Sequence, residues 1–268
     1  MGLNKIYCFL VLFFFFVTSC KNSSDEKGKM NTETSKEEGA KNAEMKAIDE
    51  EISSSGQVAS SLKYTLESGE FIVVHAHLST KGEILKIDEE YNDGPRGNFG
   101  KNSFYLKDGK IFATREYFED RSKVISGKDS ASKFVERISY YDKKEKVEKT
   151  IEKRVNFEEE IESANFVPTA LHSLKMDRAK KVLDQKDEYK VTFQGFINSN
   201  AINFLIVGSS GENGYTSAIR VDNEDAFIKT LLKDQRKYLN RKIEVAFENV
   251  TDQTGFQYQL YIQGKFVD

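Results

Sequence analysis

Along residues 70–78 apolar and polar side chains alternate: Ile72, Val74, Ala76 and Leu78 fall on one side, Val73, His75 and His77 on the other. Successive side chains of a strand point to opposite faces, so this period of two predicts a strand with one buried face. Ser79-Thr80-Lys81-Gly82 supplies a turn, and residues 83–90 return with Ile84 and Ile87. The pattern recurs in Phe104-Tyr105-Leu106-Lys107-Asp108-Gly109-Lys110-Ile111-Phe112, where Asp-Gly marks a tight hairpin because both positions tolerate the positive φ it requires. A weaker instance runs from Ile138 to Val147. The shared grammar fits a duplicated hairpin, and it equally fits unrelated soluble hairpins. Two longer loops, residues 91–102 and 120–132, interrupt the series. Gly94-Pro95-Arg96-Gly97 lacks a following helical pattern whose N-terminus would assist a phosphate, so it reads as a plain loop.

Near residue 169 the period changes. Leu171, Leu174, Ala179 and Leu183 approach helical spacing and predict a connecting helix that begins after Pro168. Five strand-like segments follow, at 189–197, 203–207, 215–221, 242–248 and 256–266, with a helix expected over 224–239. Three strands, a helix and two strands is the element order of the OB-fold, which this region resembles over about 80 residues. Gly195 stands where a long first strand of such a barrel must bend. Upstream, Met45, Ile48 and Ile52 share one face of a short helix ended by Ser53-Ser54-Ser55-Gly56. The expected fold class is therefore mainly β with minor α. An antiparallel β-meander of hairpins (61–166) is joined by a connecting helix (167–186) to an OB-like five-stranded barrel (187–268), after a helix and linker at 44–60.

The N-terminus follows a different rule. A short charged start with Lys5 precedes an apolar run from Ile6 to Val17, closed by Val17-Thr18-Ser19-Cys20. The run is about a dozen residues against roughly 20 for a membrane-spanning helix, so it reads as a signal peptide over residues 1–19. An aliphatic residue three before a cysteine and a small residue one before it resemble the lipobox of bacterial lipoproteins. The resemblance implies cleavage before Cys20 and lipidation of its thiol and amine, and two or more acyl chains hold a protein stably on a bilayer. Residues 20–43 hold almost nothing apolar and read as a flexible tether. Lys21 is not the Asp that resembles an inner-membrane retention signal, and Asp25-Glu26 loosely resembles the surface-export signals of Bacteroidota lipoproteins. The expected address is the cell envelope, with the outer membrane favoured and its face open.

Composition narrows the chemistry. The lipoprotein resemblance implies that, of the two cysteines, Cys8 leaves with the signal and Cys20 takes the lipid, so that no thiol would remain for a disulfide, a zinc site or a nucleophile. Net charge is −3 across the chain, and residues 187–268 carry nine Lys/Arg against eleven Asp/Glu. Single-strand binders need aromatics in a positive groove, so nucleic acid is not an expected partner. The barrel's Phe193, Phe196, Phe204, Tyr215, Phe247, Tyr258 and Tyr261 instead leave a carbohydrate, peptide or protein ligand open. His75-Ala76-His77 is the arrangement that could hold a metal, since both imidazoles share a strand face and His172 or a carboxylate would complete the set. The competing expectation makes that face the solvated side of an amphipathic strand. Asp88-Glu89-Glu90 and Glu158-Glu159-Glu160 lack calcium-loop spacing and read as solvated surface. Ser209-Ser210-Gly211 has no nucleophile-elbow context. The expectation is a non-enzymatic, membrane-anchored lipoprotein that binds or scaffolds an envelope protein or glycan, without a cofactor. A metal-dependent enzyme centred on His75 and His77 is the rival.

Overall fold

The computed structural model describes residues 24–94, 97–122, 126–127, 131–199, 202–209, 211 and 214–267, with side chains from Glu37 onward except Ser55. The signal segment and Cys20 lie outside the described residues. Two compact units divide the chain, residues 1–40 and 41–268. The fold is mainly β with minor α.

Helix α1 spans Ser24–Ser55 and crosses the boundary between the units. It therefore covers much of the segment expected to be a flexible tether. The residues responsible are Lys, Glu, Ala and Met, good helix formers even where no apolar stripe exists. Within the second unit its stripe is the expected one: Met45 and Ile48 are buried. The helix stops at Gly56, where a Cβ would strike the Ile52 carbonyl.

Strands β1 (Gln57–Ser60) and β2 (Tyr64–Thr65) precede the meander. Strand β1 falls where a linker was expected, and its pairing with β3 makes it a strand. The meander is β3 (Phe71–Leu78), β4 (Ile84–Asn92), β5 (Phe99–Lys107), β6 (Lys110–Asp120), β7 (Lys133–Tyr141) and β8 (Val147–Val155). All neighbours pair antiparallel in sequence order, and the short β9 (Val167–Pro168) closes the series. The β5–β6 turn confirms the Asp-Gly reading, with φ of 51° at Asp108 and 73° at Gly109.

The connecting helix departs from its expectation. Helix α2 spans only Asp177–Leu183, and residues 169–176 form neither helix nor strand. Sheet groups hold that segment: Thr169 N donates to Thr150 O, His172 N to Thr150 Oγ1, and Leu174 N to the Tyr141 hydroxyl. Leu171, counted toward a helical stripe, is 62% exposed. Tertiary hydrogen bonds outweighed local periodicity here.

The barrel consists of β10 (Thr192–Ser199), β11 (Ile202–Gly208), β12 (Thr216–Val221), β13 (Ile243–Thr251) and β14 (Gln257–Phe266). Strands β10, β11 and β12 pair antiparallel, β12 pairs parallel to β14, and β13 pairs antiparallel to β14. The Thr192–Lys242 bridge, with Asn240 N donating to Phe193 O, returns β13 to β10. Through the pairing of β12 with β2 these strands continue the meander's sheet. Gly195 lies at a bulge with φ of 132°, where the first strand bends as expected. The expected single helix is two pieces, α3 (Ala226–Lys233) and α4 (Gln235–Tyr238), because Asp234 breaks it while capping Lys237 N.

The meander and barrel, read from sequence as separate domains, share one core. Ile87, Phe104 and Leu106 of the meander belong to the same buried cluster as Phe193, Leu205 and Ile219 of the barrel, with Met176, Ala179 and Val182 around α2. The other meander face packs against α1, where Met45 and Ile48 meet Tyr105, Phe112, Ile138 and Tyr140.

Candidate functional site

Three places concentrate chemistry: a charged cluster on the α1-side face, a polar row on the barrel-side face, and a groove at the end of the sheet. The first centres on Asp88, which is 3% exposed. Its Oδ1 accepts from Ser103 Oγ at 2.5 Å, and its Oδ2 lies 3.0 Å from His77 Nε2 and 3.1 Å from Lys101 Nζ. Lys86 bridges onward, 3.5 Å from Asp88 and 2.9 Å from Asp49 of α1, whose carboxylate also accepts from the Tyr105 hydroxyl. Burial by itself would raise the Asp88 carboxyl. The His77 contact, the Lys86 charge, Ser103 and Lys101 outweigh it and hold the group well below the usual carboxylate range.

His75 shares this face, with Nδ1 2.8 Å from Ser60 Oγ. Burial lowers its pKa and nearby Glu90 partly opposes the shift. The face is thus not the solvated side of an amphipathic strand, and Asp88-Glu89 is not solvated surface. Strand β1 and helix α1 add partners and cover that strand-by-strand alternation does not encode. Glu158-Glu159-Glu160 does stay exposed, in a short 3₁₀ turn. His172 lies elsewhere: its Nε2 is 3.1 Å from Glu116 Oε2, on the opposite face of the sheet. The structure therefore brings His75 and His77 together without His172. Among the described residues no group of three or more His, Cys, Asp or Glu is arranged to hold a metal.

The polar row follows the register Glu89, Asn102, Glu116, Arg137, Glu152 across five strands. Glu89, 2% exposed, accepts from Asn102 Nδ2 at 2.9 Å and from Arg178 Nη2 of α2 at 2.7 Å. Arg137 pairs with Glu152 at 2.7 Å and lies 3.4 Å from Glu116. Burial alone would lower Arg178, but Glu89 and Asp93 raise it further above its already high value. A row of one residue per strand is invisible along the chain, because its members are about 13 to 21 positions apart.

The groove opens where the β3–β4 and β5–β6 turns meet α1 and α2. It has a volume of about 960 Å³, with Ala76, Ile87, Leu106 and Met176 in its floor and walls. Ile84 at its edge is 42% exposed. Mostly apolar cavities of roughly 300–1,000 Å³ with a few polar groups are the usual form of small-ligand sites. Sequence reading missed it. Ile84 and Leu106 were recognisable as strand residues, but two helices and two turns converging on them were not.

The barrel aromatics divide. Phe193 and Tyr261 are core residues, and Phe196, Tyr215 and Phe247 pack against that core. Phe256, 66% exposed, stacks on Tyr258 with ring centroids 6.3 Å apart, and Arg220 lies over the Tyr258 ring at 4.8 Å.

No known protein-family model, curated protein or solved structure matches this chain. No helix among the described residues is long and apolar enough to cross a membrane.

Proposed function

We propose that the protein is a lipid-anchored envelope lipoprotein, favoured for the outer membrane, whose folded unit has a non-enzymatic binding role. The observation that carries the anchor is Val17-Thr18-Ser19-Cys20 at the end of an apolar run too short to span a bilayer. What supports binding over catalysis is that the buried ionisable groups serve each other. Asp88 is shared among His77, Ser103, Lys86 and Lys101, and Glu89 between Asn102 and Arg178, while the apolar groove is lined by no member of either set.

Membrane fractionation of wild type and Cys20→Ala, with incorporation of a labelled fatty acid, tests the anchor. Label on wild type alone is expected; equal label on both would sink the reading. A second reading, glycan binding by the barrel, is favoured by the stacked Phe256–Tyr258 pair beside Arg220. A glycan array on which Phe256→Ala loses signal would support it. The metal-enzyme rival predicts stoichiometric zinc or manganese in the purified protein, lost with His75→Ala.

A further inference from the structure

The groove carries more than a general binding role. Its floor is apolar and buried: Ala76, Ile87, Leu106 and Met176 are each less than one-tenth exposed. Methionine adapts its shape to a flexible partner better than a branched side chain does. The charges at the mouth divide by wall. On the turn side, Glu83 makes no side-chain ion pair among the described residues, and Lys107 is paired with Glu44 at 2.5 Å and neighboured by Asp108. That wall has an excess of negative charge. On the α2 side, Asp184 is paired with Lys186 at 2.7 Å, leaving Lys180 as a cation without an ion pair among the described residues.

We propose that this groove binds a single-chain zwitterionic amphiphile, its aliphatic tail on the Ile87–Leu106–Met176 floor, its anionic group at Lys180 and its ammonium group at Glu83. The assignment rests on the binding role proposed above. A charged head placed on the apolar floor would lose its hydration without a partner, so the head must lie at the mouth. A purely anionic or purely cationic head would meet one matching and one opposing wall. An extended peptide fits poorly, because strand addition needs a free edge. The turn at the mouth is closed on itself, with Ser79 N donating to Glu83 O at 2.8 Å and Gly82 N to Ser79 O at 2.9 Å.

The test uses the full-length protein in its own membrane and a lysophosphatidylethanolamine with a photoreactive diazirine in its acyl chain. Labelled peptides are identified by mass spectrometry. We expect labelling on the segments containing Leu106 and Met176. Unlabelled lysophosphatidylethanolamine should compete at least tenfold better than a fatty acid or an alkylamine of the same length. Ile84→Glu, at a position exposed enough to leave folding intact, should reduce labelling at least fivefold, and Lys180→Glu should remove the preference for the zwitterionic competitor. Equal competition by all three amphiphiles would overturn the head assignment. Labelling outside the groove, or unchanged in Ile84→Glu, would overturn the site itself. Cys20→Ala separates the two proposals: groove labelling that survives loss of the lipid supports the site whatever holds the protein to the membrane, and persistence of lipid label on the variant refutes only the anchor.

Discussion

The two faces of the meander are buried by different means. On the barrel side, Ile72, Val74, Ile87 and Phe104 are almost fully buried against α2 and the barrel in one apolar cluster. On the α1 side the same strands place His75, His77, Lys86, Asp88 and Lys101 under partial cover, and only a smaller apolar cluster seats the helix. The first face gains stability from apolar area removed from water, at roughly 25 cal/mol per Å². The second depends on every charge keeping its partner, because a buried ion pair contributes little net stability while a broken one is strongly destabilising. The apolar cluster on the barrel side should therefore resist pH and salt, whereas the α1-side charges, like the Glu89–Arg178 row beyond that cluster, should not.

Two substitutions of similar size separate these mechanisms most sharply. Phe104→Ala should cost about 3–5 kcal/mol, evenly across pH, as a cavity in a packed core. Asp88→Ala should cost about 3–5 kcal/mol near neutrality by leaving His77 and Ser103 without their partner and taking from Lys86 and Lys101 one of the two carboxylates each contacts. Urea denaturation at several pH values checks both, and a Phe104→Ala effect that grew with pH would break the contrast.

The pH dependence has two windows. Asp88 has a folded pKa below its unfolded value, so its contribution is present above the ordinary carboxylate range and fades as pH falls through the lower folded value. His75 is also depressed, so the unfolded chain takes up its proton first and stability begins to fall below the ordinary histidine value near 6.5. Asp88→Asn should flatten the lower window and His75→Asn the upper one. Met45→Ala should cost about 2–3 kcal/mol, less than the Phe104 change, because the α1 contact can collapse locally. Hydrogen exchange should show residues 41–55 opening before the strands. Lys265→Ala, which removes a 2.6 Å pair with Glu244 between two exposed side chains, should change stability by at most about 1 kcal/mol and less in high salt.

The bilayer address and the glycan and amphiphile proposals rest on different residues, so the tests above fail independently. Much of the architecture was legible. Alternation from Phe71 onward marked the hairpins, Asp108-Gly109 fixed a turn, and the order of barrel elements followed from their periods. The site was less legible. His75 and His77 were recognisable as a pair, but Asp88 looked like one acid in a surface run. Its neighbours Ser103 and Asp49 are 15 and 39 positions away, and no local period records such distances.

By itself the sequence determined the local choices: which residues alternate and where glycine permits a turn. Those depend on side-chain chemistry and backbone freedom within a few residues. Only tertiary structure decided that the barrel and meander share a core, that residues 169–174 are tied to Thr150 and Tyr141 instead of forming a helix, and that an apolar groove opens between charged walls. Each of these depends on groups far apart in the chain meeting at contact distance, and their mutual satisfaction outweighs what any one segment prefers alone.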